Sequence, residues 1–181
     1  MTFQRLITAV MLLLLFCETC SATKGEIRSA SAKEIEAAFL VQFSKYVTWP
    51  DSAFFDSDAP VIVGILGRDP FGSMLDEIAL KSRVNGRTIE VRRFDDLTSI
   101  KNSHILFVAS SQAERMEDVI DALACTPVLL VGDSEDFLKF GIINFVIVDK
   151  KIRFNISRKN YQKASLKLSS KLLRVAHKVA D

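Results

Sequence analysis

The sequence has few of the residues that bind metals or form the disulfide bonds that stabilise small exported domains. It contains three cysteines and two histidines among 181 residues, and two of the cysteines, Cys17 and Cys20, lie near the amino terminus. Because zinc spacings and a disulfide framework are both missing, we expect stability to come from a core, and no metal site is predicted. Cys125 lies between a helix pattern and a strand pattern. It is predicted to be a buried small hydrophobe, with an intermolecular disulfide as the alternative.

A strong net charge is also missing. Lys and Arg total 24, Asp and Glu total 22, and the net charge is +2, so nucleic acid is not an expected partner. Gly64–Gly72 lacks the G-x-G-x-x-G frame of a dinucleotide site. His104 and Ser110 lie at opposite ends of one predicted strand, roughly 20 Å apart at about 3.3 Å per residue, which excludes direct proton transfer. The sequence therefore predicts a protein that is not an enzyme and has no cofactor.

The longest hydrophobic run lies at the amino terminus. An apolar stretch from Leu6 to Phe16 follows Arg5 and precedes small and polar residues up to Ala22, which is typical of a secretory signal peptide. The stretch is short for a transmembrane span, which needs about 20 residues. We therefore predict a signal peptide over residues 1–22 and a single exported domain over residues 23–181.

Apolar runs alternate with helical patterns along the rest of the chain. Pro60–Leu66, His104–Ala109 and Pro127–Val131 are rich in apolar residues and do not alternate with polar ones, which is typical of strands buried on both faces. Helical patterns separate them. This order predicts an α/β fold, with a mainly parallel sheet and helices on both faces.

The carboxyl-terminal stretch predicts a hairpin and a long helix. Ile142–Val148 is rich in β-branched and aromatic residues, and Ile152–Ile156 alternates apolar with polar residues. These two strands are expected to form an antiparallel hairpin at the edge of the sheet. From Tyr161 to Val179, apolar residues recur at three- and four-residue steps, which predicts one helix of roughly five or six turns.

Two surfaces are candidates for binding a partner. Basic residues on the predicted last helix recur at three- and four-residue steps and form a ridge suited to an acidic partner or anionic lipid, the alternative being an ordinary solvated face. The ridge consists of Lys163, Lys167, Lys171, Arg174 and Lys178. The first helix carries Phe39, Phe43 and Tyr46, predicted to face the core. Trp49, at its end, is the candidate for an exposed anchor.

A small-molecule pocket is predicted at the carboxyl ends of the strands, because open α/β sheets bind their ligands there. Gly67 and Arg68 follow the first buried strand, Ser110 follows the second, and Asp133 follows the third. These four residues are the candidate ligand-binding set.

Seven short motifs, taken in order, resemble those of the YfiR family of bacterial periplasmic proteins. They span nearly all of the chain after Ala22. The motifs are Ala37–Pro50, Gly64–Gly72, Asn85–Arg87, His104–Phe107, Gly141–Phe145, Arg153–Asn155 and Ser169–Leu173. The sequence departs from the family at Ser103, where family members often have a cysteine, so no internal disulfide is expected.

The resemblance implies a periplasmic repressor that is not an enzyme. Such a protein binds the periplasmic sensor region of an inner-membrane diguanylate cyclase and thereby limits cyclic di-GMP and biofilm formation. The resemblance also implies an outer-membrane lipoprotein that sequesters the repressor, and a homodimer. Other family members accompany sensor kinases or outer-membrane receptors. The alternative is therefore a periplasmic small-molecule-binding or accessory module for such a system.

Overall fold

The structure is a computed structural model that describes residues 23–181, with side chains from Ala32 onward. The predicted signal peptide, residues 1–22, lies outside the described residues. The strands are β1 (Val47–Thr48), β2 (Val61–Leu66), β3 (Arg83–Val84), β4 (Arg87–Phe94), β5 (Ile105–Val108), β6 (Leu129–Gly132), β7 (Ile143–Val148), β8 (Lys151–Ser157), β9 (Lys167–Leu168) and β10 (Lys178–Ala180). The α-helices are α1 (Thr23–Phe43), α2 (Ser73–Leu80), α3 (Met116–Ala122), α4 (Arg158–Lys163) and α5 (Ser170–Val175).

An eight-stranded sheet has the order β10-β8-β7-β6-β5-β2-β4-β3. Strands β4, β2, β5, β6 and β7 pair in parallel, whereas β3 pairs antiparallel with β4, and β8 antiparallel with β7. The predicted α/β fold with a mainly parallel sheet is confirmed. The next two parallel strands along the chain lie on opposite sides of β2 in the sheet: β4 on one side and β5 on the other. The strand order therefore reverses between β2 and β5.

Each face of the sheet has its own hydrophobic core. On β5, Ile105 and Phe107 pack into one core, whereas Leu106 and Val108 pack into the other, as a two-residue period requires. Helices α1 and α2 contribute Leu40, Leu75 and other residues to the first core. Helix α3 contributes Met116 and Val119 to the second. Helices therefore cover both faces, and Lys33–Asp181 form one compact unit.

The predicted hairpin is formed by β7 and β8, with Phe145 opposite Phe154. Asp149 and Lys150 join the strands with φ values of 50° and 60°. Positive φ at both central residues is the geometry of a type I′ turn, whose twist matches the flanking strands. The hairpin is antiparallel as predicted, but it does not form the edge of the sheet. Strand β10 pairs in parallel with β8 and lies outside it.

The prediction of one long carboxyl-terminal helix is wrong. Helix α4 ends at Lys163, and Ser165 then takes a left-handed φ of 57°, which a continuing helix cannot contain. The next residues form β9, which pairs antiparallel with β1. Ser169 caps the short helix α5 by accepting a hydrogen bond from the Leu172 backbone N–H.

Candidate functional site

An apolar groove lies between α1, β8 and α5, with a cavity volume of about 540 Å³. We call it the aromatic groove. It is lined by Phe39, Gln42, Phe43, Tyr46, Phe154, Lys171, Leu172, Arg174 and Val175. Helix α1 supplies one wall and α5 the other, so the groove exists because the carboxyl-terminal segment folds back beside the first helix.

The floor of the aromatic groove is a cluster of packed rings. The Phe154 ring lies edge-on to Phe39 and Phe43, with centroid distances of 5.4 and 5.1 Å, and Phe39 stacks on Phe43 at 5.9 Å. Such arrangements are favourable for aromatic quadrupoles. Phe43 and Phe154 are almost fully buried. The floor is therefore held in place by the core and does not need a partner to form it.

The rim of the aromatic groove is apolar and basic. Val175 is 64% exposed and Tyr46 is 38% exposed, although both are large hydrophobic residues. Lys171 and Arg174 are exposed beside them, and neither makes an ion pair with a residue that the structure describes. A groove of this kind suits an apolar side chain of a partner that carries acidic residues on either side.

The structure divides the predicted basic ridge. Lys171 and Arg174 line the aromatic groove, but Lys163 lines a different cavity, beside Cys125. Lys167 lies on β9, opposite Thr48 of β1. The ridge is therefore not one face of one helix, because the segment that carries it alternates between helix and strand.

The predicted core face of α1 is partly wrong. Ala37, Leu40 and Val41 are buried in the core, whereas Phe39 and Tyr46 line the aromatic groove. From Ile35 to Phe43 every residue of the helix except Glu36 and Gln42 is apolar, so the pattern alone does not show which apolar side faces the sheet. Phe43 is buried in the core as predicted and Phe39 packs against the core, whereas Tyr46 is exposed at the rim of the aromatic groove.

Trp49 is not an exposed anchor, which corrects its prediction as a partner-binding residue. It is 8% exposed, and its indole N–H donates to the His104 carbonyl oxygen at 3.2 Å. The ring also lies edge-on to the His104 imidazole. An indole buried with its N–H satisfied is a structural residue. Phe55, six residues after Trp49, is 98% exposed.

His104 is buried at the amino end of β5, where both of its ring nitrogens are engaged. Nδ1 accepts a hydrogen bond from the Ile62 backbone N–H at 3.0 Å, so Nε2 carries the proton and donates to the Ala53 carbonyl at 3.1 Å. Burial lowers the pKa of His104 to about 4, despite the hydrogen bond to Ala53. The imidazole is therefore neutral at pH 7 and acts structurally.

A second pocket, of about 410 Å³, lies where the strand order reverses. We call it the switch-point pocket. Arg68 follows β2, Ser110 follows β5, Asp133 follows β6, and all three line the pocket. Gly67 lies next to it with a φ of 90°, and a Cβ there would come within 2.7 Å of the Ser111 Oγ. The structure thus brings the predicted ligand-binding residues together, and ligand binding itself stays a prediction.

Sequence reasoning missed Lys33, which also lines the switch-point pocket. Its Nζ lies 2.7 Å from Asp133 Oδ2 and 2.7 Å from Glu36 Oε2. Burial lowers the pKa of Lys33, but hydrogen bonds to the two carboxylates outweigh burial, so the net shift is upward. Burial raises the pKa of the Glu36 carboxyl more than Lys33 lowers it. The Lys33–Glu36 spacing is readable in the sequence, but the contact with Asp133 is not.

Cys125 is exposed, contrary to the prediction of a buried small hydrophobe. Its φ of 61° places it in a left-handed turn between α3 and β6, and this turn carries the side chain away from the core. Among the side chains that the structure describes, from Ala32 onward, no group of three His, Cys, Asp or Glu residues could hold a metal ion. No helix in the described part of the chain is long and apolar enough to cross a membrane.

The chain belongs to the YfiR/HmsC-like family, whose sequence profile matches residues 33–177. A search of curated proteins finds no significant match. Among solved structures, the chain is similar to the ABC domain from Streptococcus pneumonia in complex with L-Trp, at 13% identity and a TM-score of 0.55. The match covers 79% of this chain and 60% of that one, which is less than two thirds of its length. At this identity the likeness shows the fold alone.

Proposed function

We propose that this chain is a periplasmic, non-enzymatic repressor that binds the sensor region of an inner-membrane diguanylate cyclase and lowers cyclic di-GMP. Membership of the YfiR/HmsC-like family supports the compartment and the regulatory class. The observation that carries the binding role is the aromatic groove, an apolar cavity with an unpaired basic rim among the described residues.

The groove supplies the two components of a specific protein contact. Its ring floor can bury one apolar side chain of the partner, a contribution of about 1.5–3 kcal/mol for a residue such as Leu or Phe. Lys171 and Arg174 are exposed and would meet acidic residues around that anchor. Rim charges of this kind contribute more to the association rate and to specificity than to affinity.

Repression requires that the chain bind one state of the cyclase better than the other. A protein that binds both states equally shifts no equilibrium. To change the ratio of inactive to active cyclase from 1:99 to 99:1, it must bind the inactive state about 10⁴-fold more tightly. We therefore expect the aromatic groove to recognise a sensor surface that is exposed only in the inactive cyclase. An outer-membrane lipoprotein that occupied the same groove would relieve repression by competition, and a homodimer would present two grooves to a dimeric cyclase.

Binding between the purified full chain and the periplasmic domain of the cyclase tests this proposal. The Lys171→Glu/Arg174→Glu variant reverses the charge of the groove's rim and is expected to weaken binding about tenfold or more. A second variant, Val175→Asp, places a charge on the apolar rim and should weaken binding similarly. Lys81→Glu makes the same type of charge change at an exposed site outside the groove and should leave the affinity unchanged. Equal binding by all variants would reject the groove as the interface.

The alternative function is a small-molecule-binding or accessory module for a sensor kinase or an outer-membrane receptor. The switch-point pocket favours this alternative, because it combines a cavity with convergent polar side chains. Cross-linking in the periplasm separates the two functions. Recovery of a diguanylate cyclase supports the repressor, whereas recovery of only a kinase or receptor supports the accessory module.

A further inference from the structure

We infer that the switch-point pocket binds a small carboxylate that also carries a neighbouring hydrogen-bond donor, such as a hydroxyl group. The pocket lies where β4 and β5 diverge on either side of β2, and open α/β sheets bind ligands in this crevice. Its volume of about 410 Å³ falls within the range of small-molecule sites. It shares no lining residue with the aromatic groove, so this inference does not depend on the proposed repressor function.

The donors of the pocket favour an anionic group. Arg68 is exposed at the pocket, and its guanidinium makes no ion pair with the residues that the structure describes. The Ser110 hydroxyl is exposed beside it and likewise makes no hydrogen bond to a described residue. A guanidinium presents paired N–H groups that match the two oxygens of a carboxylate. Arg68 and Ser110 together can therefore bind a carboxylate.

The pocket wall also contains an acceptor that lacks a donor. Asp133 Oδ2 accepts from Lys33, whereas Asp133 Oδ1 is buried and receives no hydrogen bond from the described residues. Leaving a buried carboxylate oxygen unpaired is unfavourable. The Asp133 side chain is 21% exposed at the pocket, so a small rotation of its carboxylate would bring Oδ1 to a ligand donor while the ligand carboxylate meets Arg68. This requirement selects ligands with a donor close to the carboxylate.

Part of the site is organised before any ligand binds. The Arg68 backbone N–H donates to Ser111 Oγ at 3.1 Å, and Lys33 holds Asp133 at 2.7 Å. Pro70, Phe107 and Ala109 supply an apolar part of the lining. A 2-hydroxy carboxylate with a short apolar chain therefore has the chemistry that the pocket requires.

An NMR titration of the ¹⁵N-labelled full chain tests the inference with four probes. The first probe, 2-hydroxyisocaproate, has both groups, isocaproate lacks the donor, 2-hydroxyisocaproamide lacks the charge, and inorganic phosphate lacks the carbon chain. We expect the hydroxy acid to shift the amide signals of Arg68, Ser110 and Ser111, and the other three probes to bind roughly tenfold more weakly or worse. The absence of shifts from all four probes, or shifts clustered elsewhere, would overturn the inference.

Two variants with little risk to folding complete the test, because both altered side chains are exposed. Arg68→Ala should weaken binding of 2-hydroxyisocaproate roughly tenfold, and Ser110→Ala should weaken it several-fold. Arg153→Ala removes an exposed arginine outside the pocket and should bind as the unmodified chain does. Unchanged affinity in Arg68→Ala would contradict the assignment, as would the same affinity for isocaproate and its 2-hydroxy derivative.

Discussion

Lys33 on α1 donates a hydrogen bond of 2.7 Å to Asp133 at the end of β6, 100 residues further along the chain. The two side chains are 28% and 21% exposed, so the pair is only partly screened by water. It therefore joins the first helix to the carboxyl end of the central sheet, beside the switch-point pocket.

Removing either partner of this pair is expected to destabilise the fold. Lys33→Met and Asp133→Asn should each lower the free energy of unfolding by about 1–2 kcal/mol, less than the 3–5 kcal/mol of a fully buried pair. The double variant should lose less than the sum, because each single change already breaks the contact. Urea denaturation measures all three. Lys139→Met is the matched control, since its pair with Asp136 is about two-thirds exposed and should contribute less than about 1 kcal/mol.

His104 should make stability depend on pH below neutrality. Its folded pKa of about 4 is lower than the ordinary value of 6.5, so the unfolded state binds more protons between these values. The stabilisation from neutral His104 is complete above pH 6.5 and is lost as the pH falls towards 4, by an amount on the order of 2 kcal/mol.

The His104→Gln variant isolates this contribution from those of other groups. Glutamine can still donate to Ala53 but leaves the Ile62 N–H without its acceptor, at a cost of about 1–3 kcal/mol at pH 7. The difference in stability between the unmodified chain and the variant should shrink as the pH falls from 6.5 to 4. His177→Gln, at an exposed site, should preserve the pH dependence. A constant difference across this range for His104→Gln would contradict the burial of a neutral imidazole.

Ser165 lies two residues beyond the end of α4, and its φ of 57° is a left-handed conformation. Ser165→Gly should stabilise the protein by up to about 1 kcal/mol, because glycine adopts this region without a Cβ penalty. Ser165→Val should destabilise it by about 1 kcal/mol or more. Ser99 has a φ of −112°, so Ser99→Gly should be neutral or destabilising. If Ser165→Gly were destabilising instead, the segment would have the continuous helix expected from its periodicity.

The buried strands and the hairpin could be predicted because their evidence is local. The apolar run ending at Leu66 specifies a strand covered on both faces. The alternation from Ile152 to Ile156 specifies β8, the strand that pairs with β7 in the hairpin. The switch-point pocket followed from the strand ends by a general rule of open sheets. Such rules need only the order of the elements, which the pattern of apolar residues supplies.

The errors arose where two interpretations fitted the same residues. Ala164, Leu168 and Leu172 recur at four-residue spacing and suit a helix, whereas Leu166 and Leu168 are two residues apart and suit a strand. Pairing of β9 with the distant β1 decides between the two interpretations. The contact of Lys33 with Asp133 is equally non-local. The exposed position predicted for Trp49 is wrong because its indole N–H is satisfied inside the fold by a backbone carbonyl 55 residues away. Such contacts depend on tertiary packing, which a single sequence does not display.

Cellular cyclic di-GMP in the source bacterium tests the central claim most directly. The level should rise when the gene is deleted and return to normal when the unmodified chain or Lys81→Glu is expressed in the periplasm. The Lys171→Glu/Arg174→Glu variant, present at the same amount, should fail to restore it. An unchanged level on deletion would contradict the repressor function, and full restoration by the double variant would contradict the aromatic groove as the surface that represses the cyclase.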